Sequence, residues 1–202
     1  MACVRRHQHA RDHHDWHSQH YVADWVARDE ARSGERRLIL DRMLAVAPFR
    51  PEEAINVLDV GAGAGAVAEA VAQAFPLAEI TLQDFSAPML ARAQERLAAR
   101  ATKVRYVLGD LADPNWDRKV AGPFDLAVSG IAIHNLREMT LITACYAAVR
   151  RLLRAGGCFL DYDHFDRAGG LAAHREALLS AGFAQVETVW HRMPTAVLKA
   201  SA

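Results

Sequence analysis

The feature that most constrains this chain is the run Val57-Leu58-Asp59-Val60-Gly61-Ala62-Gly63-Ala64-Gly65. A strand-like apolar segment, residues 55–60, passes directly into glycines at alternate positions. A helical face marked by Val67, Val71, Ala74 and Phe75 follows. Glycine lets the backbone turn tightly and approach a ligand with no Cβ in the way. In an open α/β sheet such a turn lies at the carboxyl end of the first strand, where ligands bind.

The rest of the chain keeps the alternation that such a turn requires. Ile80 to Asp84 reads as a second strand, and Ser86 is a helix N-cap ahead of Leu90, Ala93 and Leu97. Val104, Tyr106 and Leu108 alternate as a third strand that stops at Gly109-Asp110. Phe124 to Ser129 is the fourth strand. Leu141, Cys145, Ala148, Val149 and Leu152 mark a long helix that ends at Ala155-Gly156-Gly157, with glycine as its C-cap. Cys158 to Tyr162 is the fifth strand. A helix through Leu171, Leu178 and Leu179 ends at Gly182. Ala184 to Trp190 and Thr195 to Lys199 close the chain as a hairpin. The expected architecture is a doubly wound α/β domain over residues 51–202. Its seven-stranded sheet is mostly parallel, with a terminal antiparallel hairpin strand.

Ahead of this domain, residues 21–50 read as helical. Tyr21, Val22, Trp25 and Val26 recur at helical spacing, Ser33-Gly34 interrupts, and Leu38, Ile39, Arg42, Met43 and Val46 continue. This segment is a candidate lid over the ligand edge, with Tyr21 and Trp25 as candidate substrate contacts. The same spacing equally suits anchoring of the helix to the core. Residues 1–20 hold His7, His9, His13, His14, His17 and His20. Clustered histidine is a cue for metal binding, but no zinc-type ligand spacing accompanies it. The segment is read as a flexible His/Arg-rich tail, and no metal is expected.

Charge narrows the partners. The 202 residues carry 24 basic and 24 acidic side chains, which argues against a dedicated nucleic-acid footprint. Cys3, Cys145 and Cys158 form no disulfide framework. Neither a signal-peptide core nor a membrane-length apolar run is present. A cytoplasmic protein with no membrane partner is expected.

The ordered motifs resemble those of the Rossmann-like, class I S-adenosylmethionine-dependent methyltransferases. Val57 to Gly65 is similar to that family's first motif, and Asp84 matches the acid ending its second strand. Gly109-Asp110-Leu111, Phe124 to Ser129 and Leu152 to Gly157 resemble its later motifs. Ala181-Gly182-Phe183 has a counterpart before its last two strands. The resemblance covers residues 55–200. It implies S-adenosyl-L-methionine as cofactor, with Gly61, Ala62 and Gly63 against the methionine portion. Asp59 would help hold the amino group and Asp84 the ribose hydroxyls. Phe85 would pack on adenine, which Asp110 and Leu111 would also contact, and Ser129 would lie near the methionine end.

Methyl transfer to an oxygen or a protonated nitrogen benefits from a general base. His134, just past the fourth strand, is the candidate, and bracing of the following helix is the other reading of the same residue. Asn135, Tyr162 and His164 are candidate substrate contacts. Ser129-Gly130-Ile131-Ala132 stands where amino-methylating nucleic-acid enzymes of the family carry an Asn/Asp-Pro-Pro-aromatic box, and no Pro-Cys occurs. A small-molecule acceptor, with O, N or C as methylated atom, is therefore expected rather than DNA or RNA. Two alternatives remain. One is a catalytically inactive cofactor-binding or regulatory protein. The other is an NAD(P)-dependent oxidoreductase, since Gly61, Gly63 and Ala66 satisfy a dinucleotide spacing; Asp59 and the closing hairpin disfavour it.

Overall fold

A computed structural model describes residues 15–100 and 103–202. The expectations for Cys3, His7, His9, His13 and His14 lie outside the described residues.

Two helices come first, α1 (Gln19–Glu30) and α2 (Ser33–Leu44). Then β1 (Asn56–Val60), α3 (Ala66–Ala74), β2 (Glu79–Asp84), α4 (Ala87–Leu97), β3 (Lys103–Leu108) and β4 (Phe124–Gly130) follow. The chain closes with α5 (Met139–Leu152), β5 (Leu153–Asp163), α6 (Gly170–Ser180), β6 (Gln185–Arg192) and β7 (Thr195–Ser201). The seven strands form one sheet in the order β3-β2-β1-β4-β5-β7-β6. β1 pairs in parallel with both β2 and β4, whereas β7 runs antiparallel to β5 and β6. The strand order reverses at β1, so a crevice opens beyond the carboxyl ends of β1 and β4.

Alternation along the strands sends side chains to two apolar layers. Val57, Leu126, Val128 and Leu160 pack with α2, α3 and α4 on one face. Leu58, Val60, Ala127 and Phe159 pack with α5 and α6 on the other. Of the two leading helices, α2 belongs to the core: Ile39, Leu40, Met43 and Leu44 are all buried. α1 buries only Val22, which sits in a small cluster with Ala64 and Met89 beside the glycine turn.

The fifth strand differs from expectation at its start. α5 ends at Leu152, and Leu153 is already extended and paired with Phe124. Gly156-Gly157 is therefore not the helix cap. It belongs to an irregular stretch where the β4–β5 register shifts before Leu126 meets Cys158. Gly156 has φ +78°, and a Cβ on Gly157 would lie 2.9 Å from the Asp125 carbonyl oxygen. The glycines are needed by the bulge.

Gly65 sets the distance between α3 and α4. It caps α3 from a left-handed conformation, φ +79°, and an added Cβ would lie 3.0 Å from that of Ala93. Gly65→Ala is expected to destabilise the fold by about 1–3 kcal/mol through backbone strain. Urea denaturation measures this, and an unshifted midpoint would refute it.

Candidate active site

The glycine turn is built by its neighbours. Gly61 has φ +65°, and a Cβ there would sit 2.5 Å from the Ala132 Cβ, on the segment after β4. Gly63 has φ +52° and open space around its missing Cβ. One glycine admits the neighbouring segment; the other leaves room for a ligand. The last two side chains of β2 fasten the turn. Gln83 accepts from the Gly61 N–H (3.1 Å) and donates to the Gly109 carbonyl (2.5 Å). Asp84 accepts from the N–H groups of Gly63 and Ser86, both at 2.8 Å.

Beyond the strand ends lies a pocket of about 750 Å³. Among the residues expected from sequence, Gly61, Ala62, Gly63, Asp84, Phe85, Asp110 and Leu111 line it. So do Trp25, Asn135 and Tyr162. Burial raises the Asp84 carboxyl, against the opposing pull of the Ser86 and Gly63 N–H groups. Asp110 accepts from Ala112 N–H at 2.9 Å, which orders the turn after β3.

The remaining candidates lie off this wall. Ser129 is buried and donates to the Val60 carbonyl (3.0 Å). Tyr21 lies edge-on to Trp16, with ring centroids 5.2 Å apart. His164 Nδ1 meets Thr195 Oγ1 at 3.0 Å. His134 is buried, with Nδ1 2.5 Å from Asp163 Oδ1, and does not line the pocket. Asp59 is fully buried behind the glycine turn; its Oδ2 accepts from Ala68 N–H (3.0 Å), holding α3, and its Oδ1 has no partner among the described residues.

Some of the wall was invisible to sequence reasoning. Trp16 lines the pocket, and its carbonyl accepts from the Ser86 hydroxyl. Asp29 from α1 and Arg36 from α2 meet in an ion pair on the wall. Arg137 and Glu138 line its far end. Helical spacing marks such residues only as polar-face positions; nothing in it says that the face meets a pocket. Among the described residues, no three His, Cys, Asp or Glu side chains converge as a metal-binding group. No helix there is long and apolar enough to cross a membrane.

A family model described as "Methyltransferase domain" matches residues 57–157, half of the chain. The chain belongs to the class I S-adenosylmethionine-dependent methyltransferase family. It is 34% identical over 116 residues to the ribosomal RNA small subunit methyltransferase C of Enterobacter sp. (strain 638), covering 56% of this chain and 32% of that protein. It is 31% identical over 127 residues to a polyketide methyltransferase of Ustilaginoidea virens, covering 60% and 28%. The chain thus spans about a third of the length of these curated relatives. Among solved structures, magnesium protoporphyrin IX methyltransferase of Synechocystis PCC 6803, with S-adenosylmethionine bound, superposes with a TM-score of 0.64. The identity is 19%, over 84% of this chain and 79% of that one.

A buried polar chain lies on the α5/α6 face of the sheet. Tyr146 Oη lies 3.0 Å from Asp161 Oδ2 and 2.7 Å from His174 Nδ1, while His174 Nε2 faces the Ala168 carbonyl at 2.6 Å. A carbonyl only accepts, so Nε2 carries a proton. Burial lowers His174. The Tyr146 hydroxyl donates to Asp161 Oδ2. Burial first, and the Asp163 charge second, raise Asp161 well above the usual carboxylate range, against the opposing pull of the Tyr146 hydrogen bond.

Asp59 has a measurable consequence. Burial, with the nearby Asp84 charge, pushes it from 3.8 to about 8 despite the Ala68 hydrogen bond. The folded chain then keeps a proton on Asp59 that the unfolded chain releases. Stability from this group is full below the unfolded value and falls as pH rises toward the folded one. Stability should decline between 3.8 and about 8 through Asp59, and Asp59→Asn should flatten that part of the profile. Urea titrations across this range test it. An equally steep profile in the variant would remove Asp59 as the cause.

Proposed function

We propose that this chain transfers a methyl group from S-adenosylmethionine to a small-molecule acceptor. The observation that carries the reading is the charge of the pocket wall. Asp29, Asp84, Asp110 and Glu138 face it against Arg36 and Arg137. An excess of carboxylates suits a cationic sulfonium and opposes the pyrophosphate of a dinucleotide. The open space at Gly63 and the unpartnered Asp59 Oδ1 behind the turn fit the amino-acid end of such a cofactor.

When bound, S-adenosylmethionine supplies a methyl group activated by positive sulfur. The residues of the chain do the holding. Gly61, Ala62 and Gly63 present backbone to the methionine portion, with Asp59 and Ser129 buried behind them. Asp84 offers its carboxylate to the ribose hydroxyls, and Phe85, Asp110 and Leu111 frame the adenine. Trp25, Asn135 and Tyr162 form the acceptor end. Tyr162 is pushed up to about 12 by burial and the Asp29 charge, so its phenol stays neutral and orients the acceptor by hydrogen bonding. Rate acceleration comes chiefly from alignment of acceptor and methyl carbon. His134 is assigned no proton transfer, because it lies off the wall.

The small-molecule acceptor is supported by α1 and Trp16, which cover the pocket, and by Ser129-Gly130-Ile131-Ala132 after β4. The matched relatives act, by their names, on ribosomal RNA and on a polyketide, so acceptor class is the point to test. Calorimetry is expected to show binding of S-adenosylhomocysteine and none of NAD or NADP. Asp84→Ala should weaken that binding by about 1.5–3 kcal/mol, the scale of hydrogen bonds to a charged group. Methyl-labelled cofactor should then mark the low-mass fraction of a cell extract. Label confined to RNA or protein overturns the acceptor assignment, and binding without any label favours a regulatory protein.

A further inference from the structure

The segment after β4 is the least relaxed backbone of the site. Ile131, a β-branched residue, has φ +55°, a conformation such residues rarely adopt. Arg137 has φ +63° and ψ −36°, and the Glu138 N–H donates across it to the Leu136 carbonyl at 2.7 Å. That is a γ-turn of the rare, strained kind. Between these two residues a short 3-10 turn, Ile133–Leu136, joins the ends. Strained backbone persists where surrounding contacts over-determine it, and it clusters at ligand clamps.

The contact that over-determines this segment is the Asp163 carboxylate. It is fully buried and sits at the end of β5. Its Oδ2 accepts from the His134 N–H at 2.9 Å; its Oδ1 takes the His134 ring at Nδ1 and the His164 N–H at 2.7 Å. Ile133 and His134 of the segment are buried, whereas Ile131, Ala132, Asn135, Leu136, Arg137 and Glu138 line the pocket. One carboxylate therefore anchors, through His134, a strained wall that Ile133 also ties to the core.

We propose that Asp163 is a positioning residue which, acting through His134, fixes residues 131–138 as the acceptor-side wall. The assignment of that wall to the acceptor rests on the methyltransferase reading above. His134 serves here as a hydrogen-bond donor rather than as a base. A carboxylate that already accepts from two backbone N–H groups makes Nδ1 the donor, so the ring proton lies on Nδ1, facing Asp163.

Three measurements on the full chain test this. Nitrogen-15 spectra of the wild type should show His134 protonated at Nδ1; a ring bearing its only proton on Nε2 overturns the proposal without any variant. Hydrogen exchange read by mass spectrometry should show peptides over 131–138 losing protection in Asp163→Ala and His134→Ala. His134→Asn, whose amide donates from the place of Nδ1, should restore it. Methyl transfer to the low-mass extract should follow the same order, falling roughly tenfold to a hundredfold in the alanine variants, the scale of a displaced reacting group. The S-adenosylhomocysteine affinity should stay near wild type. Unchanged protection in both alanine variants overturns the proposal, as does an inactive His134→Asn with a protected wall, which would make the imidazole chemical. Wild-type protein that fails to bind S-adenosylhomocysteine would instead defeat the methyltransferase reading, leaving the exchange result to judge Asp163 by itself.

Discussion

The site depends on the last two side chains of β2. The connections after β1, β2 and β3 leave the same carboxyl edge of the sheet. Gln83 spans from the Gly61 N–H to the Gly109 carbonyl, and Asp84 joins Gly63 to Ser86. Two adjacent residues of one strand thereby set the spacing of loops that are far apart in the chain. Both are buried, so these bonds are made where an unmade bond is costly. The glycine turn that opens the domain is not a self-sufficient motif; its shape is imposed from the next strand.

A second constraint follows from that arrangement. Closing the loops over the strand ends buries carboxylates: Asp59, Asp84, Asp161 and Asp163 are all shielded from water. Each is answered differently. Asp84 and Asp163 gather backbone N–H donors. Asp161 accepts from the Tyr146 hydroxyl at one oxygen, and its carboxyl is raised well above the usual range. Asp59 has one donor, an unpartnered oxygen and a carboxyl raised to about 8. Buried acids are expensive unless hydrogen-bonded or neutral. Asp59 and Asp161 each keep one oxygen without a partner among the described residues, and Asp59 is the one behind the glycine turn. A cationic amino group brought to that turn would favour its charged form.

The parallel part of the sheet was legible in the sequence because its strands are short, apolar-rich runs that end at a glycine or an acid. The wall formed by Gly61–Gly63, Asp84, Asp110 and Leu111 was legible because the motifs come in order. The entry to β5 was not. Gly156-Gly157 reads as a helix stop, yet the pairing of Leu153 with Phe124 draws the chain into the sheet before the glycines and uses them for a bulge. Asp29 and Arg36 were missed for a different reason. They come from helices ahead of β1, where spacing reports a polar face and not what lies opposite. The Asp163–His134 contact joins residues that no local pattern connects, since it is created by the parallel pairing of β4 with β5.

That pairing explains why the wall after β4 is built as it is. β4 and β5 end side by side, with Gly130 opposite Tyr162 and the Ile131 N–H bonded to the Tyr162 carbonyl at 2.7 Å. The next residue of β5, Asp163, points to the opposite face from Tyr162, as strand alternation requires. Tyr162 therefore reaches the pocket while Asp163 stays in the core, beneath the segment that leaves β4. A Cβ on Gly130 would strike Val67 at 2.6 Å, so the chain passes close over α3 before it turns. The strain at Ile131 and Arg137 is the cost of making that turn within a few residues. The glycine turn leaves room for a cofactor, and the fixed backbone opposite it defines what else can enter.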